Sequence, residues 1–262
     1  MILKRRVSLY GVELDELDPR IVITGIDEAE GRDEITAVSV AGGSGQRITN
    51  RRRESLDVTV RFAMDIPKTR LQERAALMEK VKKWASGGGR LRVNYRPQRR
   101  LFVVLAQAPG EGDLFRWTND YALVFRAYQV PYWTDENEVA VSSSINAGAS
   151  FPIEVPGSAE TVADFVITNG SGALIKKLSV KIGNSEMQFN GDNLLPAGQV
   201  LYVDHPENVK GLNIMRAYNQ NGSVMKWRTG ANDFYCQPGS NTVTFTAERA
   251  VRVLARVRGR YL

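Results

Sequence analysis

The sequence predicts a mainly β, two-domain protein in which one helix interrupts the strands of the first domain. Apolar residues recur at every second position over residues 56–64, which is the spacing of a strand with one buried face. Glycine, proline and asparagine separate short apolar runs along the chain, as turns between strands do. Charge divides unevenly, with 23 basic and 17 acidic residues in 1–134 but 12 of each in 135–262. This asymmetry favours separate domains over residues 1–134 and 135–262.

The first domain combines strands with a single amphipathic helix. Runs of β-branched and aromatic residues predict further strands at residues 35–41, 91–95, 101–105 and 121–128. Asp65 can cap a helix that begins at Pro67, because the missing N–H of proline costs nothing in a first turn. Apolar spacing of three and four predicts that this helix lies on a sheet through a stripe formed by Leu71, Ala75, Met78, Val81 and Ala85. The glycines that begin at Gly87 end it.

The second domain shows no helical pattern of useful length. Short apolar runs with turn residues between them predict eight strands, at residues 151–155, 164–168, 178–182, 186–189, 200–203, 224–227, 241–246 and 251–257. Short, closely spaced strands are typical of an antiparallel sandwich, and we predict one of jelly-roll type. Residues 134–150 are acidic and then rich in small polar residues, so we interpret them as the junction between the domains.

Residue types leave little room for catalysis or metal binding. The chain has one cysteine, Cys236, and one histidine, His205, which excludes an intrachain disulfide and the Cys-rich or two-histidine zinc sites. We interpret His205 as a surface turn residue and Cys236 as a small, half-buried strand residue. Phosphate-binding loops and nucleophile elbows are absent from the sequence. We therefore predict that the protein is not an enzyme and uses no metal or cofactor.

The sequence also lacks the pattern of a membrane-spanning helix. No stretch approaches the roughly 18 apolar residues that such a helix needs. The basic residues near the N-terminus are not followed by an apolar segment, as they would be in a signal peptide. We expect a protein that folds in a cytoplasm and does not insert into a membrane.

Seven segments, taken in order along the chain, carry a resemblance to a known family. The first domain contributes residues 17–23, residues 38–53 leading into 56–62, the helix that ends at Trp84 before glycines, and the closing residues 131–133. The second contributes residues 198–204, 238–245 and the basic residues 258–261. In this order the chain resembles the distal tail proteins (Dit) of long-tailed phages.

This resemblance implies a structural role in the virion tail, after assembly in the host cytoplasm. Six copies would form a ring at the end of the tail tube, around a channel through which DNA passes without specific binding. The first domain would be a tail-tube-like β-sandwich or barrel that forms the ring, and the second a galectin-like sandwich that projects outward. The tail tube protein would bind one side of the ring, and a tail-tip hub or fibre protein the other.

An arginine cluster is the candidate subunit contact. Guanidinium groups pair bidentately with carboxylates, and an acidic stretch lies nearby at residues 27–34. We therefore predict that Arg47, Arg51, Arg52 and Arg53 lie at a subunit junction or at the rim of the channel. An exposed basic hairpin tip is the alternative interpretation.

Two aromatic residues of the second domain are candidates for binding glycan. The faces of Trp227 and Tyr235 could stack on sugar rings, although a core tryptophan is the alternative for Trp227. A carbohydrate-binding adhesion module for a host cell-surface glycan would explain the second domain but leaves the first without a role. A glycan hydrolase would need a carboxylate pair that the sequence does not identify.

Overall fold

The computed structural model describes residues 4–29, 33–39, 46–110, 112, 120–145, 148–206 and 215–262, without the side chains of residues 39 and 46–52. Most of these residues lie in antiparallel strands, which confirms the predicted mainly β fold class. The chain divides into two compact units, Met1–Trp133 and Thr134–Leu262, one residue from the expected boundary. The separate roles assigned to the two domains stay predictions.

The first unit is built on one antiparallel sheet with a hairpin beside it. Its strands are β1 Val7–Leu9, β2 Val12–Glu13, β3 Ile21–Glu28, β4 Asp33–Ser39, β5 Gln46–Arg53, β6 Leu56–Met64, β7 Gly89–Val93, β8 Arg99–Gln107 and β9 Tyr121–Ala127. The order in the sheet is β2-β1-β7-β8-β9-β6-β3, whereas β4 and β5 pair with each other. All five strands predicted for this domain are present, with ends shifted by a few residues; residues 40 and 41 lie outside the described part.

In strand β6, the apolar residues that predicted the strand are the ones that the fold buries. Its burial alternates along the whole length, and Val58, Val60, Phe62 and Met64 are fully buried. Because side chains of a strand point to opposite faces in turn, an apolar residue at every second position buries one complete face. β6 is an interior strand, which pairs with β9 on one side and with the edge strand β3 on the other.

Helix α1, Leu71–Ser86, begins four residues later than predicted. The predicted start at Pro67 is wrong because residues 67–70 close a separate turn, in which the Arg70 N–H donates to the Pro67 carbonyl at 2.9 Å. The predicted end before Gly87 is confirmed.

The buried face of α1 differs in part from the predicted stripe. Met78, Val81 and Ala85 are buried as expected, but Leu71 is 40% exposed. The side chains that complete the buried face are those of Arg74 and Leu77. The Arg74 guanidinium donates to the Ile66 carbonyl at 3.2 Å and to the hydroxyl of Tyr121 in β9. The apolar spacing alone could not show that an arginine would be buried beneath the helix.

One carboxylate, that of Glu28 at the end of β3, collects four hydrogen bonds. The Arg96 guanidinium donates to both of its oxygens, at 3.0 and 2.9 Å. The Tyr95 hydroxyl donates at 2.7 Å, and the indole N–H of Trp133 at 2.9 Å. Trp133 is fully buried, with the Arg96 guanidinium 5.3 Å from its ring centroid. This arrangement, the Glu28 node, ties β3 to the β7–β8 loop and to the end of the first unit.

The second unit is an antiparallel sandwich. Its strands are β10 Trp133–Asp135 at the boundary, β11 Val139–Ile145, β12 Gly148–Val155, β13 Thr161–Asn169, β14 Ile175–Ile182, β15 Ser185–Leu195, β16 Val200–Asp204, β17 Arg216–Asn219, β18 Gly222–Ser223, β19 Arg228–Gly230, β20 Tyr235–Cys236, β21 Gly239–Ala247, β22 Val251–Val257 and β23 Arg260–Tyr261. One sheet has the order β11-β22-β13-β16-β17-β18, and the other β12-β21-β14-β15-β19. Both sheets bury residues in one core, in which Phe165 meets Phe234 and Phe245 edge-on. The predicted sandwich is confirmed.

Two predictions for the second domain need correction. The units divide at the start of the predicted junction, residues 134–150, but most of that segment is part of the second unit, where β11 pairs along its whole length with β22. The alternation is concealed because Ala140, an apolar residue, faces outward and Ser143, a polar one, lies on the inward side. Residues 224–227 are not a strand: Met225–Trp227 is a 3₁₀ turn, in which the Trp227 N–H donates to the Val224 carbonyl at 3.0 Å.

Substitution of Glu28 tests the importance of the Glu28 node. We expect Glu28→Gln to lower the free energy of unfolding by on the order of 2 kcal/mol, because an amide N–H₂ then faces donors and the charge on Arg96 loses its partner. Urea unfolding of the full chain measures this. The control is Asp27→Asn, which removes only an ion pair with Arg61 in which both side chains are more than half exposed. Equal losses for the two variants would contradict a special role for Glu28.

Candidate functional site

The hairpin of β4 and β5, here called the arm, is the most unusual feature of the first unit. In sequence it follows the edge strand of the sheet: the last β3–β6 pair is Glu28–Val58, and the first pair of the arm is Asp33–Arg53. Among the described residues the arm pairs only with itself. Ile35 is 53% exposed and Val38 is 52% exposed. An isolated two-stranded hairpin is marginally stable in water, so the arm has the character of a segment that needs a partner.

The predicted arginine cluster lies on one strand of the arm. In the register of the hairpin Arg53 stands opposite Asp33, and Arg52 stands opposite Glu34. Arg51 pairs with Ile35, and Arg47 with Val38. The side chains of Arg47, Arg51 and Arg52 lie outside the described part of the structure. The backbone alone thus places two arginines of the cluster opposite acidic residues of the same chain, where opposite charges stabilise a strand pair.

The other residues of the acidic stretch also have partners within the chain. Asp27 forms an ion pair with Arg61 at 3.1 Å, and Glu28 belongs to the Glu28 node. Glu30 lies outside the described residues. Arg53 itself packs on the ring of Tyr132, with its guanidinium carbon 5.3 Å from the ring centroid. The acidic stretch therefore serves the arm and the sheet of its own chain, and a subunit contact through the arginines stays a prediction.

Beside the arm, β3 forms one edge of the sheet. Within the described residues it pairs with β6 alone. Its first residues, Ile21 to Ile26, carry no charge, and Val22 is 50% exposed. Natural edge strands are usually protected by charges, prolines or a covering segment, because their free N–H and C=O groups can pair with another chain. One carbonyl of this stretch, that of Thr24, accepts from the Arg5 guanidinium at 2.6 Å. The rest of this edge and the arm are suited to contact with another chain.

Trp227 and Tyr235, the predicted glycan-binding residues, occupy different surroundings. Trp227 is half-buried at the margin of the core and rests on Gly191, where a Cβ atom would lie 2.3 Å from the indole. The Lys226 ammonium lies 4.8 Å from the centroid of the same ring. Tyr235 is 47% exposed, and its hydroxyl donates to Asp233 at 3.3 Å. No described contact joins the two aromatic residues into one binding surface.

A groove of about 330 Å³ lies elsewhere on the second unit. Its polar lining comes from the outer face of the five-stranded sheet, from Lys177, Ser179, Gln188, Asn190, Thr246 and Glu248. Hydroxyl, amide and charged groups of this kind can bind a hydrated, hydroxyl-rich ligand. Neither Trp227 nor Tyr235 lines it.

His205 is not the surface turn residue that the sequence suggested, because its side chain is only 3% exposed. Its Nδ1 lies 2.7 Å from a carboxylate oxygen of Asp164, and its Nε2 lies 2.6 Å from one of Asp233. Although burial alone would lower the pKa of His205, the two carboxylates raise it to about 9. The imidazole is thus a charged bridge between β13 and the segment before β20. The partners lie 41 and 28 residues away in sequence, so local sequence gave no signal for them.

Cys236 is fully rather than half buried. Burial raises the pKa of its thiol to about 12, so the reactive thiolate is scarce at neutral pH. In the described part of the chain, no three His, Cys, Asp or Glu side chains come together as metal ligands. No described helix is long and apolar enough to cross a membrane.

Comparison with known proteins gives similarity in structure only. No family model matches the sequence, and no curated protein matches it. Among solved structures, the Dit protein of phage SPP1, described as a paradigm of the hub adsorption apparatus in phages that infect Gram-positive bacteria, matches with a TM-score of 0.69. The identity is 14%, over 98% of this chain and 99% of that one. A chain of the phage P2 baseplate, in its activated conformation with Ca, matches with a TM-score of 0.51 and 10% identity, over 99% and 98% of the two chains. This chain therefore has the fold that the resemblance predicted.

The charge on His205 predicts a specific dependence of stability on pH. Because the pKa rises from 6.5 to about 9 on folding, the stabilisation is present below about 6.5 and is lost as the pH rises through about 9. We expect the difference in unfolding free energy between the unsubstituted chain and His205→Gln to shrink by on the order of 3 kcal/mol from pH 6 to pH 10.

Urea unfolding of both proteins at the two pH values measures that difference. Asp192→Asn is the control, because it removes an ion pair with Lys176 in which Asp192 is 97% exposed, and its effect should hardly change between these pH values. A difference for His205→Gln that is as large at pH 10 as at pH 6 would show that the imidazole carries no stabilising charge.

Proposed function

We propose that this chain is a structural protein of a phage tail, and that six copies form a ring that joins the tail tube to the tail-tip hub or fibre. The observation that carries the proposal is the match in fold to the Dit protein of phage SPP1 over nearly the whole of both chains. A match that spans both units argues for the function of the whole chain more strongly than a match to one sandwich would. On this proposal the first unit forms the ring, and DNA passes through its channel without specific binding.

The arm and the open edge of β3 support ring formation on physical grounds. A closed ring needs heterologous contacts, in which one surface of each copy meets a different surface of the next. The uncharged first part of an edge strand and a hairpin with exposed Ile35 and Val38 are surfaces that a lone chain has reason to cover. The tail tube protein would then bind one side of the ring, and the hub or fibre protein the other.

A structural rather than catalytic role fits the chemistry of the described residues. His205 is engaged by two carboxylates, and the Cys236 thiol is buried. Neither group is placed as a base or nucleophile that could reach a substrate. The proposed location is the virion tail.

Glycan binding by the second unit is a second candidate function, and the groove on the outer face of the five-stranded sheet favours it. The site would then be the groove rather than Trp227 and Tyr235, since its polar side chains come together on one face of a sheet.

Charge reversal in the arm tests the predicted subunit contact. We expect the triple variant Arg51→Glu, Arg52→Glu, Arg53→Glu to lose the ring and to show the mass of a single chain, 29.1 kDa, in native mass spectrometry. Unchanged assembly would remove these arginines from the subunit contact.

A second variant separates contacts between copies from pairs inside the hairpin. Adding Asp33→Arg and Glu34→Arg to the triple variant restores opposite charges across the arm, because these residues stand opposite Arg53 and Arg52. If the arginines contact the neighbouring copy, the variant with all five substitutions still fails to form the ring. Recovery of the ring would show that the arginines act only within the hairpin.

The glycan candidate is tested on an array of bacterial cell-wall polysaccharides. If the groove binds, Gln188→Ala with Asn190→Ala should weaken binding of the full chain by about tenfold, because both amides line it. Thr242→Ala is the matched control, since Thr242 is exposed on β21 and does not line the groove. The candidate fails if the intact, folded chain binds no polysaccharide.

A further inference from the structure

The outer faces of the two sheets in the second unit differ in chemistry. Across the five-stranded sheet, one outward row consists of Gly148, Thr246, Ser179, Gln188 and Thr229, and the next of Ser150, Thr244, Lys181 and Glu186. This is the polar surface expected of a sheet face in contact with water. The face of the other sheet does not follow this pattern.

Four neighbouring strands of that other sheet carry a continuous apolar row. Leu254 of β22 stands opposite Val166 of β13, which stands opposite Tyr202 of β16, which stands opposite Tyr218 of β17. All four side chains point away from the core and are partly exposed. We call them the tyrosine row. Since strands lie about 4.8 Å apart, the row is roughly 15 Å long.

Neighbouring side chains hold the tyrosine row in place. The two tyrosine rings stack with centroids 5.1 Å apart and planes inclined by 16°. The Tyr218 hydroxyl donates to Asp204 at 3.1 Å, and Arg216 binds both oxygens of the same carboxylate at 2.9 and 3.0 Å. Tyrosine and arginine side chains held in one conformation lose little entropy when a partner binds, and they are enriched at the energetic centres of protein interfaces.

The acids that border the row have partners within the chain, whereas one arginine has none among the described residues. Asp204 is bound by Arg216, and Asp164 stands opposite Arg256 in the strand register and shares the single charge of His205 with Asp233. Arg252 is exposed and pairs with no carboxylate in the described part of the chain. Arg256 lies 3.5 Å from Glu138, a carboxylate that also binds Arg258 at 3.1 Å. A surface that complements this face would therefore present carboxylates beside apolar side chains.

The same geometry argues against a sugar as the ligand of this face. Sugar rings stack on free aromatic faces, but the tyrosine rings cover one another, and the Arg216 guanidinium lies 5.5 Å from the centroid of Tyr218. Leu254 and Val166 offer no hydrogen bonds to hydroxyl groups. A flat, apolar surface with a cationic border is instead suited to another protein.

We propose that the tyrosine row, bordered by Arg252 and Arg256, is a docking surface for a different protein of the tail, one that presents apolar side chains flanked by carboxylates. This inference rests on the proposed structural role in a phage tail and adds the surface and the kind of partner. It is independent of the arm, which belongs to the first unit.

Photo-cross-linking in assembled particles tests the proposal. The full chain, with p-benzoylphenylalanine at position 254, is supplied during growth of a phage that lacks its own copy, and the purified particles are irradiated. The matched control carries the same residue at position 242, which is exposed on the outer face of the opposite sheet and does not line the groove. We expect an adduct with a different tail protein from position 254 and none from position 242. Adding Arg252→Glu should lower the yield of that adduct by about tenfold.

Other outcomes would overturn the proposal. No adduct from position 254, in particles that contain the chain, would leave the proposed tail role intact but exclude this surface. An adduct with a second copy of this chain, or a mass increase from a glycan without peptide, would exclude the proposed partner. Particles that form normally without the chain would reject the structural role itself, and the inference with it; the protein composition of the particles shows this before irradiation.

Discussion

The carboxylate of Glu28, which accepts four hydrogen bonds, fixes the end of β3, the strand that precedes the arm. Its two oxygens accept four hydrogen bonds from Arg96, Tyr95 and Trp133. Although burial would raise the pKa of this carboxyl, these hydrogen bonds hold it below its ordinary value, so the group stays charged at neutral pH. The end of β3 cannot rotate without leaving a half-buried arginine and a buried indole unpaired.

The two units solve the problem of exposed β structure in different ways. The second unit encloses its apolar side chains between two sheets. A charged bridge at His205 joins Asp164 of β13 to Asp233. The first unit instead ends its sheet at an edge strand whose first six residues carry no charge, and it extends a hairpin that, among the described residues, pairs only with itself. An exposed edge strand and an isolated hairpin invite aggregation in a lone chain, and they can form a specific contact when another copy covers them. This contrast agrees with the assignment of ring formation to the first unit.

Sequence patterns predicted the strands whose apolar residues follow the two-residue period, such as β6 and β22. They failed where tertiary structure overrides the local pattern. β11 was missed because Ser143 lies on its inward side and Ala140 on its outward side, and α1 starts late because residues 67–70 close a turn of their own. The residues around Glu28 and His205 were beyond reach for another reason. Their partners lie 28 to 105 residues away, so only the folded chain brings them together.

The tyrosine row is a further feature that the sequence alone could not predict, because its residues come from four different strands. In sequence, Val166, Tyr202 and Leu254 are ordinary strand residues, and only the strand order β22-β13-β16-β17 lines them up.

The central claim is that copies of this chain assemble into a ring, and the native mass of the purified, unmodified full chain tests that claim most directly. We predict a stable species of six times the 29.1 kDa chain mass, seen as a ring with a central hole in negative-stain images. A single-chain mass at the concentrations where the chain is folded would contradict the central claim.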